Sequence, residues 1–188
     1  MEEKLRQNPS DCIKVVLFGP ESTGKSTLAK QLALHYNTVF VPEYSRIYAE
    51  AQLLVSKTLT KNDVLPIAEG QMQLENEAAP KAHKLLICDT DLLETKVYSE
   101  SYYDGFCDPM LEKFAIENTY DLYFLTYIDI PWEADDLRDR PNDREVMFEA
   151  FESALKKYNR PYVVLKGSME ERFKTAKDHI DELLKLKV

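Results

Sequence analysis

The stretch IKVVLFGPESTGKS, residues 13–26, decides the fold of this chain. Its first six residues are nearly all apolar and rich in β-branched side chains, which is typical of a strand buried on both faces of a parallel sheet. The remaining eight match GxxxxGK[ST] in full. Leu28, Leu32 and Tyr36 then recur at four-residue spacing and predict an amphipathic helix over residues 27–36. Strand, glycine-bounded loop and helix in this order predict a phosphate-binding loop.

The residue types in this loop suit a bound polyphosphate. Gly19 and Gly24 allow backbone N–H groups to turn inward, and the helix N-terminus adds its positive end. Lys25 is suited to bridge the β- and γ-phosphates, and the Ser26 hydroxyl to ligate Mg²⁺. A glycine-rich surface turn is the alternative, and the strand and helix on either side argue against it. We therefore expect ATP and Mg²⁺ as cofactors. The residues predicted to bind the nucleotide are Gly19, Pro20, Glu21, Ser22, Thr23, Gly24, Lys25, Ser26 and Thr27.

Beyond this loop, strand-like and helix-like segments alternate along the chain. Further strands are predicted at residues 38–41, 85–88, 121–127 and 162–165. Further helices are predicted at residues 46–55, 62–83, 92–101 and 108–118, with apolar stripes at 148–158 and 173–184. This alternation predicts an α/β fold of the P-loop kinase type, with three α/β/α layers around a parallel five-stranded sheet. We expect residues 1–188 to form a single domain with a small lid at about residues 131–145.

The amino-acid composition argues against several classes of binding partner. With 33 acidic and 24 basic residues the formal charge is −9, which disfavours general binding to nucleic acid. No apolar stretch approaches the length of a membrane span, so we expect no membrane partner. Cys12, Cys88 and Cys107 lie far apart and form no pairing pattern, which suits the reducing cytoplasm. The expected partners are a nucleoside triphosphate and a small-molecule acceptor.

Two other classes of P-loop protein fit the sequence poorly. A GTPase carries DxxG after its third strand, but residues 89–92 contain no glycine, and the NKxD-like residues 60–63 precede that strand instead of following a late one. A motor or remodelling ATPase usually needs a longer chain and an acidic pair at a strand end. The small-kinase plan remains, with an acceptor site beside the loop and an arginine-rich lid.

Candidate acceptor residues follow the second and third predicted strands. Glu43, Tyr44 and Arg46 come after the second strand, and Asp89 and Asp91 after the third. The carboxyl ends of parallel strands face the ligand crevice in an open sheet. One aspartate could organise Mg²⁺ while the other orients or deprotonates an acceptor hydroxyl. As alternatives, Glu43 and Arg46 could form an ion pair at a helix start, and either aspartate could cap the next helix.

The charged segment 131–144 is the candidate lid. On closure, Arg138, Arg140 and Arg144 could meet the transferring phosphoryl group. The acidic residues between them also allow a solvated loop of mixed charge. Aromatic side chains could stack on a substrate ring or belong to the core. These aromatic candidates are Trp132, Tyr98, Tyr102 and Tyr103.

Five motifs in series resemble one known family. They are GPESTGKSTL (19–28), PEYSR (42–46), DTD (89–91) followed by Thr95, PWEADDLRD (131–139) and KGSMEERF (166–173). Together they resemble the ribosylnicotinamide kinase domain of NadR-type proteins, part of a wider P-loop ATPase/kinase family. The likeness extends from about residue 13 to residue 184. Pro42 and Asp136 depart from the family pattern, which often has an aromatic residue and a glycine there.

The resemblance implies transfer of the γ-phosphoryl group of ATP, with Mg²⁺, to the 5′-hydroxyl of nicotinamide riboside. The implied catalytic residues are Lys25, Asp89, Asp91 and Arg138. The implied metal ligands are Ser26 and Asp89. The substrate residues are Glu43, Tyr44, Arg46, Asp91, Thr95 and Trp132, and those on the nucleotide side include Arg138, Arg140, Gly167 and Ser168. The alternatives are a kinase of another nucleoside or small hydroxyl compound, and an ATP-binding regulatory module.

Overall fold

Five parallel strands form one sheet at the centre of the molecule. The computed structural model describes residues 2–137 and 142–186. The strands are β1 (Ile13–Phe18), β2 (Phe40–Val41), β3 (Leu85–Asp89), β4 (Leu122–Thr126) and β5 (Tyr162–Leu165). Their order in the sheet is β2-β3-β1-β4-β5, so β1 lies in the middle and pairs with β3 and β4. All six residues of β1 are buried, as expected for a central parallel strand.

Helices cover both faces of this sheet. They are α1 (Glu2–Leu5), α2 (Lys25–His35), α3 (Tyr44–Leu53), α4 (Val64–Ala78), α5 (Leu92–Tyr102), α6 (Pro109–Glu117), α7 (Arg144–Lys157) and α8 (Met169–Leu186). On one face, Leu28 of α2 and Ile180 of α8 share a core with β1. On the other, Val97 of α5 and Phe151 of α7 do so. The predicted three-layer α/β/α architecture is therefore confirmed. Within the two described ranges, no helix has the length and apolar character needed to cross a membrane.

The ends of several elements differ from the predictions for local reasons. α2 begins at Lys25 instead of Thr27, because Gly24 adopts a left-handed conformation with φ of 82° and the helix starts directly after it. β2 keeps only two of its four predicted residues, at an edge of the sheet, and Pro42 follows it. The long predicted helix over residues 62–83 ends as α4 at Ala78, because Pro80 belongs to a short 3-10 turn.

Candidate active site

The phosphate loop connects β1 to α2 and depends on two glycines. Gly19 has φ of 133°, and a Cβ there would lie 2.8 Å from Thr126 Oγ1. Gly24 has φ of 82°, and a Cβ there would lie 2.9 Å from the sulfur of Met169. Both positions combine a conformation that favours glycine with a close neighbour. The loop backbone can therefore pass close to β4 and α8.

Lys25 lies buried beneath this loop. Its Nζ donates to the carbonyl oxygens of Gly19 at 2.6 Å and Pro20 at 3.0 Å, and lies 3.3 Å from Glu94 Oε1. Burial alone would lower the pKa of Lys25, but the nearby carboxylates, chiefly Glu94 and then Glu43, outweigh it and raise that pKa. The side chain is thus a fixed cation at the start of α2.

Glu94, which the sequence analysis did not single out, is the buried partner of Lys25. Its Oε2 accepts a hydrogen bond from the Gly19 amide at 3.1 Å, and its side chain is 1% exposed. Burial raises the pKa of Glu94 well above its usual range, although Lys25 opposes the shift. The Glu94 side chain therefore binds one amide of the loop and the loop lysine. Glu94 lies in the first turn of α5, and nothing in the local sequence indicates that it reaches a loop 75 residues away.

A second residue without a predicted role, Arg172 of α8, braces the loop from the other side. Its fully buried guanidinium donates to Thr23 O in the loop at 2.9 Å, to Tyr127 O after β4 at 2.9 Å and to Gly167 O at 3.0 Å. It also forms an ion pair with Asp129. One side chain therefore ties together the phosphate loop, the end of β4 and the start of α8.

Ser26 and Asp89 form a pair that fits a magnesium ion. Asp89 ends β3 with 1% exposure, and the Ser26 hydroxyl donates a hydrogen bond to its carboxylate. Burial, and then the charge of Glu43, raise the pKa of Asp89 to about 6 against the opposing effect of Lys25. Among the described residues, none forms a hydrogen bond with Asp89 Oδ1. A hydroxyl and an uncommitted carboxylate oxygen are ligands that Mg²⁺ prefers.

The described ranges contain no cluster of three or more His, Cys, Asp or Glu residues able to hold a metal ion. A magnesium ion here would therefore need oxygen ligands from phosphate or water in addition to Ser26 and Asp89. Mg²⁺ ordinarily keeps several such ligands when it binds with a nucleotide.

Asp91 lies in a different environment from Asp89, although both follow β3. It is the N-cap of α5: Oδ1 accepts from the Glu94 amide at 2.9 Å, and Oδ2 accepts from the Tyr123 hydroxyl at 2.7 Å. Its carboxylate is buried, which raises its pKa to about 6. Thr90, with φ of 77°, precedes this turn. The structure gives both oxygens of Asp91 structural partners, and this residue does not line the cavity described next.

One cavity of about 550 Å³ extends from the phosphate loop to the space between α3, α4 and α5. A cavity of this size can hold a nucleoside together with phosphate groups. It brings the loop together with three of the predicted substrate residues. The loop contributes Glu21, Ser22, Thr23, Gly24, Lys25, Ser26 and Thr27; α3 and its N-cap contribute Glu43, Ser45 and Arg46; α5 contributes Glu94, Thr95, Tyr98, Ser99 and Tyr102.

The predicted acceptor residues divide between this cavity and the core. In the cavity, Glu43 Oε1 accepts from the Ser45 hydroxyl at 2.6 Å. Arg46 forms an ion pair with Asp135 at 2.8 Å, which joins α3 to the described first part of the predicted lid, residues 131–137. Thr95 lines the cavity, and its hydroxyl donates to Asp91 O at 3.2 Å. Tyr44 does not line it: its ring lies against Gly70 of α4, where a Cβ would be 2.0 Å away.

Of the residues predicted near the lid and the adenine, Trp132, Arg144, Gly167 and Ser168 lie outside this cavity. Trp132 lines a separate small recess with Pro20 and Glu21, and the Arg144 guanidinium lies 5.8 Å from its ring centroid. Two further expected nucleotide residues, Gly167 and Ser168, have local partners: the Gly167 amide donates to Asp129, and the Ser168 hydroxyl accepts from the Glu171 amide at the start of α8. Arg138 and Arg140 lie outside the described residues.

The family of this chain follows from comparison with known proteins. A family model described as an AAA domain matches residues 14–172. The trifunctional NAD biosynthesis/regulator protein NadR of Salmonella typhimurium strain LT2 is 31% identical over 174 residues, which make up 90% of this chain and 42% of that protein. The chain thus spans less than half the length of this curated relative.

Two solved structures share the architecture. A crystal structure of NadR protein in complex with NR has a TM-score of 0.80 at 25% identity, and the match covers 92% of this chain and 51% of that one. Thymidylate kinase from Ehrlichia chaffeensis has a TM-score of 0.63 at 16% identity, with coverage of 92% and 100%. At that identity the likeness concerns the fold alone.

These comparisons bear out two predictions made from the sequence. The resemblance to NadR-type proteins is confirmed, and so is the P-loop kinase-type fold with its parallel five-stranded sheet. The family model covers the phosphate loop, β3 with Asp89, and the chain as far as Arg172. The chain therefore belongs to the AAA domain family.

Proposed function

We propose that this chain transfers the γ-phosphoryl group of ATP to a nucleoside hydroxyl, and that nicotinamide riboside is the acceptor. The observation that carries the proposal is that one cavity joins Lys25 and Ser26 to Glu43 and Arg46. Phosphoryl transfer needs donor and acceptor in one enclosed space, because catalysis consists mainly of positioning and charge stabilisation. Likeness to a NadR protein solved with NR supports the choice of acceptor.

Four residues at or beside the phosphate loop and β2 would each have a definite part in this reaction. Lys25 would contact the phosphates, and Ser26 with Asp89 would hold Mg²⁺. Bound Mg²⁺ supplies charge neutralisation on the phosphate oxygens during transfer. Glu43 would orient and accept the proton of the attacking hydroxyl, because Asp89 is then engaged with the metal and Asp91 with Tyr123. This assigns the proton acceptor to the carboxylate after β2.

The test is a reaction of the purified protein with Mg-ATP and a panel of nucleosides that includes nicotinamide riboside, followed by ADP release and product mass. We expect ADP release together with nicotinamide mononucleotide. Glu43→Gln should lower turnover at least about 100-fold while ATP binding persists. Glu77→Gln, on the exposed side of α4, is the matched control and should retain turnover.

Two other results would contradict parts of the proposal. If product formed only from a different nucleoside, the proposed kinase activity would stand, but nicotinamide riboside would not be the acceptor. ATP binding without turnover on any acceptor would overturn the proposal and favour a regulatory ATP-binding module.

A further inference from the structure

Two buried polar groups lie beside the phosphate loop. The Tyr98 hydroxyl forms no hydrogen bond with any residue in the described ranges. Glu94 Oε1 has no hydrogen bond there either, but it forms an ion pair with Lys25. A buried polar atom without a hydrogen bond is costly and calls for an explanation. Both residues belong to α5, at positions i and i+4, where side chains are neighbours on one helix face. A Glu94 side chain that left the loop could therefore turn toward the Tyr98 hydroxyl.

Glu94 instead faces the loop in this structure. Its Oε2 accepts from the Gly19 amide at 3.1 Å, and its Oε1 lies 3.3 Å from Lys25 Nζ. These are donors that a phosphate-binding loop offers to a nucleotide. A bound phosphate group and the Glu94 side chain would compete for them, because both would occupy the same amide and the same lysine.

Tyr98 is held where it could receive the displaced carboxylate. Its ring packs edge-on against Phe151, with centroids 5.1 Å apart, and at a tilt against Tyr102, with centroids 6.1 Å apart. Burial, and then the charge of Glu94, raise the pKa of Tyr98 well above its usual range, so its hydroxyl keeps its proton and can donate. A charge-assisted hydrogen bond from a phenol to a carboxylate would satisfy both atoms.

We propose that Glu94 and Tyr98 act as a pair of positioning residues: a nucleotide phosphate displaces the Glu94 carboxylate from Gly19 and Lys25, and the Tyr98 hydroxyl then binds it. The inference rests on the ATP binding that is part of the proposed function. Tyr98 then lowers the free-energy cost of vacating the loop, and so favours the nucleotide-bound state.

The test is a double-mutant cycle on ATP affinity, measured by calorimetry without an acceptor. Tyr98→Phe should weaken ATP binding roughly three- to tenfold, the effect of one lost hydrogen bond. The same substitution in a Glu94→Ala background should have no effect, because no carboxylate then needs the hydroxyl. The melting temperature of nucleotide-free Tyr98→Phe should equal or exceed that of the wild type, since the hydroxyl forms no hydrogen bond with the described residues.

Tyr36→Phe is the matched control, because its hydroxyl contacts Asp181 of α8, away from the loop, and ATP affinity should stay unchanged. Equal ATP affinity in Tyr98→Phe and wild type, or an equal loss in both Glu94 backgrounds, would overturn the inference. If the wild type itself failed to bind ATP, the proposed function would fail instead, so the two failures are distinguishable.

Discussion

At the scale of single residues, Gly19 shows how steric limits shape the phosphate loop. Gly19→Ala would add backbone strain at φ of 133° and place a Cβ 2.8 Å from Thr126 Oγ1. We expect a loss of about 3 kcal/mol in the free energy of unfolding, measured by urea denaturation. Gly105→Ala is the matched control: φ there is 81°, but nothing lies within 4 Å of the added Cβ. It should cost only about 1 kcal/mol of strain, and equal losses in the two variants would contradict this account.

The two aspartates after β3 provide the second prediction at this scale. Asp89→Asn removes a buried carboxylate next to Ser26 whose Oδ1 forms no hydrogen bond with the described residues. It should lower kcat/KM for Mg-ATP at least about 100-fold without loss of stability at pH 7. Asp91→Ala removes the cap of α5 and leaves the Tyr123 hydroxyl unpaired. It should lower the free energy of unfolding by about 2–4 kcal/mol and leave the turnover of folded protein within a few-fold of wild type. Comparable losses of turnover in both variants would restore a substrate role for Asp91.

The candidate site was predictable where function depends on local sequence. The phosphate loop, Glu43 and Asp89 each follow directly from a motif or a strand end. The loop and Glu43 line the cavity, and Asp89 lies next to Ser26 of the loop. Glu94 and Arg172 escaped prediction because their partners lie 75 and 149 residues away. Such contacts depend on how complete elements pack, which the local pattern does not encode.

At the scale of elements, the Arg172 brace predicts how α8 supports the loop. Arg172→Lys would keep the charge but lose the fork that reaches Thr23 O and Tyr127 O. We expect the free energy of unfolding to fall by about 3 kcal/mol and ATP affinity to fall about tenfold, because Thr23 belongs to the phosphate loop.

Arg160→Lys is the matched control for that element-scale test. Arg160 also donates to two carbonyl groups, those of Ala115 and Ile116 at the end of α6, but these lie away from the loop. Its loss should lower stability without a change in ATP affinity. If ATP affinity fell equally in both variants, the effect on binding would reflect general destabilisation, and the bracing role of Arg172 would be refuted.

The strands were more predictable than the helix ends. A buried parallel strand is a continuous apolar run, so each run in the sequence located a strand of the sheet. Helix ends depend on backbone conformation and neighbours: Gly24 sets the start of α2, and Pro80 limits α4. The four-residue helix α1 was not predicted, because it is too short to show periodicity; its Leu5 is buried against α4 and α6.

At the scale of the whole molecule, the buried carboxylates affect how stability depends on pH. The pKa values of Asp89 and Asp91 are both about 6 in the folded protein, chiefly because of burial, against roughly 3.9 for an unperturbed aspartate. Between these values the folded state holds protons that the unfolded state releases. The contribution of each group to the free energy of unfolding is therefore greatest below about pH 4 and falls as the pH rises to 6.

Asp89→Asn tests this directly, because an amide does not ionise. Urea unfolding with EDTA and without nucleotide, between pH 4 and pH 7, should show a shallower decline in the variant, with a relative gain on the order of 2 kcal/mol at pH 7. Asp104→Asn, at an exposed position where the positive φ suits asparagine, should leave the profile unchanged. Parallel profiles for Asp89→Asn and wild type would mean that Asp89 ionises at an ordinary pH. In the expected case, the wild type loses folding stability at neutral pH because it keeps an ionised carboxylate beside the loop. Mg-ATP binding offsets the charge of that carboxylate. Mg-ATP should therefore narrow the difference in the free energy of unfolding between Asp89→Asn and the wild type.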